Sequence, residues 1–318
     1  MPGISLPLAF FDFVNAPTWV KPFWKVGWGG IAAFAALAVL FALLKLAFPK
    51  VAAIAWTTGK EAVSQPMFYI LLGSGIFLLT LSLFLPYFTF GEDTRYVEVN
   101  GLTLVMLLSV ILGVWTASVS LSDEIDGRTA LTVLCKPISR RDFVVGKFLG
   151  ILGPVAILFI VLGVFFLGSV SYKVVYDARE TSQPEPNSLQ CLQEVAHVAP
   201  GLVLAFFETT VMVSISVAIS TRLGILPNLV ICFSIYVLGH LVPMLAKSAM
   251  GQMAIVTFIA DLLAAILPVL DHFNIDGPIF SGETVPMAYL GLAALYCLVY
   301  SSLAMLAALL MFEDRDLA

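Results

Sequence analysis

Charged side chains are scarce in this chain of 318 residues, so their positions indicate where it could do chemistry. Only 12% of the residues are Asp, Glu, Lys or Arg, against about 25% in ordinary soluble domains. A large share of these charges falls in residues 122–150, between the apolar runs Gly101–Ser120 and Leu149–Val170. We call residues 122–150 the charged island. A charged segment between two apolar runs is suited to form a surface to which a soluble partner binds and on which it exerts force.

The charged island has the pattern of a short helix, a turn and a second helix. Pro137 ends the first helix, because proline lacks a backbone N–H and cannot continue a helix. Ser139 is a favourable N-cap for the second helix, which begins at Arg140 and continues into the next apolar run. The predicted contact surface consists of Glu124, Gly127, Arg128, Leu131, Leu134, Lys136, Pro137, Arg140 and Arg141. The alternative is a solvated connector whose lysines and arginines only set the orientation of the neighbouring spans.

Residues that could support catalysis are isolated from one another in the sequence. The chain contains no Gly-x-x-x-x-Gly-Lys-Ser/Thr loop for phosphate binding, no His-Glu-x-x-His and no Gly-x-Ser-x-Gly. Its three histidines, His197, His240 and His272, lie far apart without ligand spacing. We therefore predict no catalytic residues, no bound cofactor and no metal site in this chain.

Two acidic residues, Glu208 and Asp261, fall within apolar stretches. Acids inside a membrane segment are candidates for a functional role by default, because their burial is costly. Thr209 and Thr210, or a neighbouring helix, could instead satisfy Glu208. A membrane-embedded enzyme would need paired reactive groups at one depth, which two isolated acids do not supply.

The composition predicts an integral membrane protein. Apolar residues make up 60% of the chain, and the mean hydropathy is +1.00. The net charge is −5 and the basic residues are scattered, so nucleic acid is not expected as a partner. The expected surroundings of most side chains are membrane lipid.

Seven runs are long and apolar enough to be transmembrane helices, which need about 20 residues each. They are Trp28–Phe48, Met67–Phe90, Gly101–Leu121, Lys147–Val170, Pro200–Ser220, Leu223–Leu245 and Val285–Met311. The fold class is therefore predicted to be all-α and polytopic. An eighth stretch, Met253–Leu270, is interrupted by Asp261 and contains Pro268, so we predict that it is re-entrant or interfacial and does not cross.

The distribution of charge predicts the orientation in the membrane. The lysines and arginines of the charged island favour the cytoplasmic side. The acidic segment Gly91–Glu98 and the polar segment Ser171–Ala199 are predicted to be outer loops. With seven spans, the N-terminus lies outside and Glu313–Ala318 lies inside. Residues 50–66 mix apolar residues with Lys60 and Glu61, which is typical of a helix in the inner interface, anchored by Trp56; the alternative is a simple loop between spans.

The charged island also resembles a known family. Its motif residues are Glu124, Arg128, Thr129, Lys136, Pro137, Ile138, Arg140, Gly146 and Lys147. This pattern resembles the ABC-2 type permease family, in which a cytoplasmic Glu-Gly-Thr stretch leads to a Lys-Pro-Ile-x-Arg turn and a Gly-Lys pair. The segment with Trp56, Lys60 and Glu61 is similar to the family's elbow helix. The resemblance is closest to the subgroup linked to multi-copper enzyme maturation, of the nitrous oxide reductase assembly type.

The resemblance implies a permease domain over residues 51–318, preceded by an N-terminal segment, residues 1–50, with an extra span. It implies a six-span core that dimerises in the cell (inner) membrane, with an interfacial elbow helix and a cytoplasmic coupling helix. A separate ATPase subunit would bind ATP and Mg²⁺ and drive export of a substrate. The alternatives are a scaffold or assembly factor without transport and, less favoured, a membrane-embedded enzyme. Glu313 and Asp314 depart from the family, since basic residues are common there.

Overall fold

A computed structural model of the protein describes residues 17–85, 93–122, 139–182, 184–247 and 254–313. Within these ranges the chain contains helices, turns and no β-strand, which confirms the predicted all-α class. The α-helices are α1 (Phe23–Ala47), α2 (Pro49–Ser64), α3 (Pro66–Phe84), α4 (Asp93–Ala117), α5 (Arg140–Glu180), α6 (Ser188–Ser220), α7 (Ile225–Lys247), α8 (Ala254–Ile266), α9 (Asp276–Ser281) and α10 (Met287–Glu313). A π-helical turn, Ser118–Ser122, continues α4.

Among the described residues, seven helices are long and apolar enough to cross a membrane. Their spans are Phe23–Ala47, Pro66–Phe84, Asp93–Leu121, Arg140–Glu180, Ser188–Ser220, Ile225–Pro243 and Met287–Phe312. This number agrees with the seven spans predicted from the sequence, and each predicted run overlaps one of these helices. The protein is a multi-pass integral membrane protein.

Two ends of the helix bundle can be distinguished by their connections. We call the end where α4 finishes and α5 begins the island end, because most of the charged island lies between these two helices in the sequence. We call the other end, where α5 finishes and α6 begins, the hairpin end. Trp19, before α1, lies at the hairpin end, since its carbonyl accepts a hydrogen bond from Ser171. Phe312, near the end of α10, lies at the island end, stacked on Phe143.

Helix α8 is too short to cross the bilayer. Its 13 residues extend about 20 Å, whereas the hydrocarbon core is about 30 Å thick. The chain that follows α8 lies at the hairpin end, where Ile275 contacts the backbone of Gly201. Helix α10 starts at that same end, so between the end of α6 and the start of α10 the described residues cross the bundle once, along α7. This arrangement agrees with the prediction that residues 253–270 do not cross.

Residues 171–199 are largely helical, so the prediction of a loop there was wrong, whereas their location on the outer side stays a prediction. Helix α5 continues to Glu180 and α6 begins at Ser188, so that only a short connection separates them. The polar residues in this region pair with one another: Lys173, buried on α5, lies 2.8 Å from Asp177. Polar side chains that find partners on neighbouring turns let a helix continue beyond its apolar run. Helix α4 likewise begins at Asp93, inside the predicted loop Gly91–Glu98.

The core of the bundle is formed by α4, α5 and α6, which pack against one another. In the most apolar windows of α4 and α6, 67% of the residues are buried inside the protein, against 6% for α1. Helix α1 is therefore peripheral and presents most of its surface to lipid. Helix α5 is the central element, since it packs against α1, α2, α3, α4, α6 and α10.

Candidate functional site

Of the predicted contact surface, only Arg140 and Arg141 belong to the described residues, and both lie at the island end. Glu124, Gly127, Arg128, Leu131, Leu134, Lys136 and Pro137 lie outside the described residues. Arg140 and Arg141 are exposed in the first turn of α5. Ser139 precedes them as the N-cap, with its Oγ accepting a hydrogen bond from the backbone N–H of Asp142 at 3.1 Å. The predicted N-cap is confirmed.

A buried lysine ties the two ends of the charged island together. The Nζ of Lys147, on α5, donates to the Oγ of Ser120 at 2.9 Å and lies 3.4 Å from the carbonyl oxygen of Ser120. Ser120 belongs to the π-helical turn that ends α4. A buried ammonium needs acceptors because its desolvation is costly. The bond therefore holds the end of α4 against the start of α5.

Two glycines bring α2 into close contact with the first turns of α5. A Cβ atom at Gly150 would lie 2.7 Å from the Cβ of Thr58 and 2.9 Å from the carbonyl oxygen of Ala55. A Cβ at Gly146 would lie 2.8 Å from the Cβ of Ile54. The spacing Gly146-x-x-x-Gly150 is typical of close helix packing, and α2 is the helix that it accommodates.

The predicted elbow helix, residues 50–66, is helical as α2 and is amphipathic. Its buried face is formed by Val51, Ala52, Ala55, Thr58 and Ala62, most of them small. Trp56, Lys60 and Glu61 are exposed, and the ring of Trp56 lies 5.6 Å from that of Phe41 on α1. A helix that is apolar on one face and carries Trp and Lys on the other suits a membrane interface.

The end of α10 completes this region. The rings of Phe143 and Phe312 stack with a centroid distance of 5.6 Å, and both side chains are buried. The Nε of Arg222, in the turn after α6, donates to the carbonyl oxygen of Met311 at 2.8 Å and so satisfies one of the last carbonyls of α10. We call Phe143, Gly146, Lys147 and Gly150 the island root, because through them the start of α5 contacts α10, α2 and α4.

A buried polar network lies next to the π-helical turn. The Nδ2 of Asn228, on α7, is 2.7 Å from the Oγ of Ser118 on that turn. It is also 2.9 Å from the Oγ of Ser216 and 2.8 Å from that of Ser220, both on α6. An amide nitrogen can donate only two hydrogen bonds at once, so the three hydroxyls share it. This network was not predicted from the sequence, although Asn228 is a polar residue within the predicted span Leu223–Leu245.

The two intramembrane acids differ in what the structure shows of them. Glu208 is buried on α6, and its Oε1 lies 3.5 Å from the Nε2 of His240 on α7, too far for a strong hydrogen bond. Thr209 and Thr210 donate to backbone carbonyls of their own helix and leave Glu208 to this contact between helices. Asp261 belongs to α8, but its side chain lies outside the described part of the chain.

A second polar cluster lies at the hairpin end. Arg95 of α4 pairs with Glu98 of the same helix at 3.3 Å and with Glu194 of α6 at 2.9 Å. Ligand atoms of Glu98, Glu194 and His197 all lie within 4.8 Å of one another. No metal site was predicted from the sequence, and the proximity of Glu98, Glu194 and His197 was not recognised there. The spacing Glu194-x-x-His197, three residues apart, could have indicated it, because such a pair shares one face of a helix.

A comparison with models of known protein families finds no match for this chain, and a comparison with curated protein sequences finds none either. The resemblance to ABC-2 type permeases therefore stays a prediction that rests on the motif residues of the charged island and of α2.

Proposed function

We propose that this chain is the transmembrane subunit of an ATP-driven exporter, and that a separate ATPase subunit acts on its charged island. In this proposal the partner binds ATP and Mg²⁺, because this sequence has no phosphate-binding loop of its own. Two permease chains in the cell membrane form the translocation pathway. The observation that supports the proposal best is the island root, where the start of α5 is packed against three other elements.

The packing of the island root is suited to transmit a displacement of the charged island to α5 and to the helices that pack against it. Arg140 and Arg141 occupy the first turn of a helix of 41 residues, about 60 Å long. Phe143 and Lys147 lie one and two turns further on, and each contacts a different element. Close-packed side chains transmit displacement because the interior has little room to deform. Movement of the island would therefore move α5 together with α2 and α10.

In the proposal, the movement of α5 acts on the polar contacts between α6 and α7. Glu208 and His240 face each other across these helices, and Asn228 joins both helices to the end of α4. Polar groups inside a membrane protein often mark a transport pathway. In the proposal, displacement of α5 and α4 changes the spacing of α6 and α7 and opens a route for the substrate.

The test is association with an ATPase subunit after the charge of the first turn of α5 is removed. Arg140→Gln together with Arg141→Gln should preserve membrane insertion but weaken ATPase co-purification and transport-linked ATP hydrolysis. The matched control is Arg179→Gln, an exposed arginine on the same helix at the hairpin end, which should leave both unchanged. Insertion is checked by the amount of folded protein in the membrane fraction.

Two outcomes would contradict the proposal. One is full ATPase binding and hydrolysis in the double variant and also in Pro137→Gly. The other is the absence of any Walker-motif ATPase from the complex purified with the unmodified chain, which would favour the scaffold or assembly factor.

A further inference from the structure

We propose that the hairpin end holds a divalent transition-metal cation of the Zn²⁺ type, bound by Glu98, Glu194 and His197. The proposal does not depend on the transport function, because the site lies at the opposite end of the bundle from the island root. The three residues come from two helices that pack against each other, α4 and α6. Their ligand atoms are within 4.8 Å of one another.

Helix geometry explains how α6 supplies two of the ligands. Glu194 and His197 are three residues apart, so their side chains leave the same face of the helix on adjacent turns. The Glu-x-x-His spacing on a helix is used to hold metal ions in the cores of helical bundles. Glu98 approaches from α4, with a side chain that is fully buried.

The hydrogen bonds of His197 leave one ring nitrogen available for a metal. Its Nε2 lies 2.9 Å from the carbonyl oxygen of Glu283. A carbonyl only accepts, so Nε2 carries the proton, and in the neutral ring Nδ1 has a free lone pair. Nδ1 is buried and has no hydrogen-bond partner. A histidine that donates one ring N–H to a backbone carbonyl and presents the other nitrogen is the usual arrangement at metal sites.

Glu98 presents a second acceptor without a partner. Its Oε2 pairs with Arg95, whereas its Oε1 is buried and has no hydrogen-bond partner. Burial of a carboxylate oxygen without a hydrogen-bond partner is energetically costly, and a cation bound to Oε1 would offset this cost. This observation is independent of the Glu194-x-x-His197 spacing, because it concerns the other helix.

Arg95 is compatible with a cation at this site. Its guanidinium contacts Oε2 of Glu98 and Oε2 of Glu194 and so fixes the orientation of both carboxylates. Two carboxylates and one guanidinium carry a net charge of −1 when all are ionised, which a divalent cation would offset. Arg95 then acts as a positioning residue: it does not bind the metal, but its hydrogen bonds orient the two carboxylates that do, as residues around other metal sites orient their ligands.

The ligand set favours a borderline cation. One imidazole and two carboxylates suit Zn²⁺ and its neighbours better than Ca²⁺ or Mg²⁺, which prefer oxygen ligands alone. Zn²⁺ binds such groups at about 2.0–2.2 Å, which places ligand atoms about 3.5 Å apart. Because the present separations are at most 4.8 Å, the side chains need to close by no more than about 1.3 Å on binding.

The test measures binding of Zn²⁺ alone to the purified protein in lipid nanodiscs, after removal of any histidine tag and treatment with a chelator. Equilibrium dialysis followed by elemental analysis should find one Zn²⁺ per chain. Glu194→Gln and His197→Asn should each weaken the affinity by more than about tenfold. Glu98→Gln should do the same. If that buried substitution prevents folding, the two variants on α6 still decide the matter.

Matched controls replace the same residue types outside the site. Glu185→Gln changes an exposed glutamate in the connection between α5 and α6, and His272→Asn changes a histidine before α9. Both should bind Zn²⁺ as the unmodified chain does. Binding of Co²⁺ should give the visible d–d absorption of a four- or five-coordinate site, and this absorption should be lost in His197→Asn, because the site then lacks one ligand.

Two results would overturn the proposal. One is the absence of stoichiometric Zn²⁺ binding to the unmodified chain, in which case Arg95 alone balances the two glutamates. The other is Zn²⁺ binding that is unaltered in both Glu194→Gln and His197→Asn, which would show an adventitious ion elsewhere on the protein.

Discussion

The buried lysines of α5 show how this protein accommodates charge inside a bundle. Lys147 donates to Ser120 of the π-helical turn near the island end. Lys173, near the hairpin end, lies 2.8 Å from Asp177 and 3.4 Å from the carbonyl oxygen of Leu83 on α3. Each ammonium thus contacts a different neighbouring helix. Buried charges that are hydrogen-bonded across helices fix the relative positions of those helices, since a shift would leave the charge unsatisfied.

The bond between Lys147 and Ser120 should contribute measurably to stability. Ser120→Ala removes the hydroxyl acceptor and should lower the free energy of unfolding by about 1–3 kcal/mol, as expected for a hydrogen bond to a charged group. Reversible unfolding in SDS measures this change. Ser234→Ala, at an exposed serine that bonds only within α7 among its described contacts, is the matched control and should cost much less. Equal effects of the two substitutions would argue against a special role for Ser120.

At the scale of elements, the packing of α2 on α5 is the feature that the sequence described least completely. The sequence predicted an interfacial helix over residues 50–66, but nothing in it indicated that this helix packs against Gly146 and Gly150. The structure brings these glycines against Val51, Ala55 and Thr58 of α2. Helix α2 is thereby joined to the same turns of α5 that carry the island root.

A larger side chain at Gly150 should separate these helices. In Gly150→Leu the new Cβ meets Thr58 and the backbone of Ala55, so either α2 moves or the core is overpacked, at a cost of about 1–3 kcal/mol. Thermal unfolding in detergent should show a lower midpoint. Gly153→Leu is the control on the same helix, because a Cβ there meets nothing within 4 Å. A midpoint as high in Gly150→Leu as in Gly153→Leu would contradict the tight contact.

The connection between α5 and α6 shows why loop predictions failed at the hairpin end. The polar composition of Ser171–Ala199 predicted a loop, whereas helix covers most of it. Arg95, Glu194 and His197 are polar, but their partners lie on other helices or connections and are close in space. Such partners cannot be identified from local composition, because they depend on how α4 and α6 pack.

At the scale of the whole molecule, the structure shows which described segments lie at the same end of the bundle. Trp19, the connection between α5 and α6, and Glu283 before α10 lie at the hairpin end. The start of α5 and the end of α10 lie together at the island end. The charge distribution predicts that the island end is cytoplasmic.

Cysteine labelling tests both statements in a background without the native cysteines. Single cysteines at Pro17, Ser182 and Ser281 should react with an impermeant reagent in intact cells. A cysteine at Ser139 should react only after permeabilisation. Protection of all three hairpin-end positions would reverse the predicted orientation but keep the fold. Labelling at Ser182 with protection at Ser281 would contradict the arrangement itself and favour eight spans.

The sequence by itself determined the helical class, the seven helices of the described residues that are long and apolar enough to cross a membrane, and the N-cap at Ser139. These features depend on local properties. A membrane helix satisfies its backbone hydrogen bonds within its own residues, so an apolar run of sufficient length specifies it without reference to the rest of the chain. The N-cap likewise involves only residues 139–142.

Tertiary structure alone decided which distant residues meet. It brought Glu98 to Glu194 and His197, Gly150 to Thr58, and Asn228 to Ser118, although these residues are far apart in the sequence. Helix packing in a membrane depends on the shapes and polar groups of complete helix faces. An isolated histidine or glycine in the sequence therefore does not reveal its partner, and the cluster at the hairpin end and the island root became recognisable only when the helices were assembled.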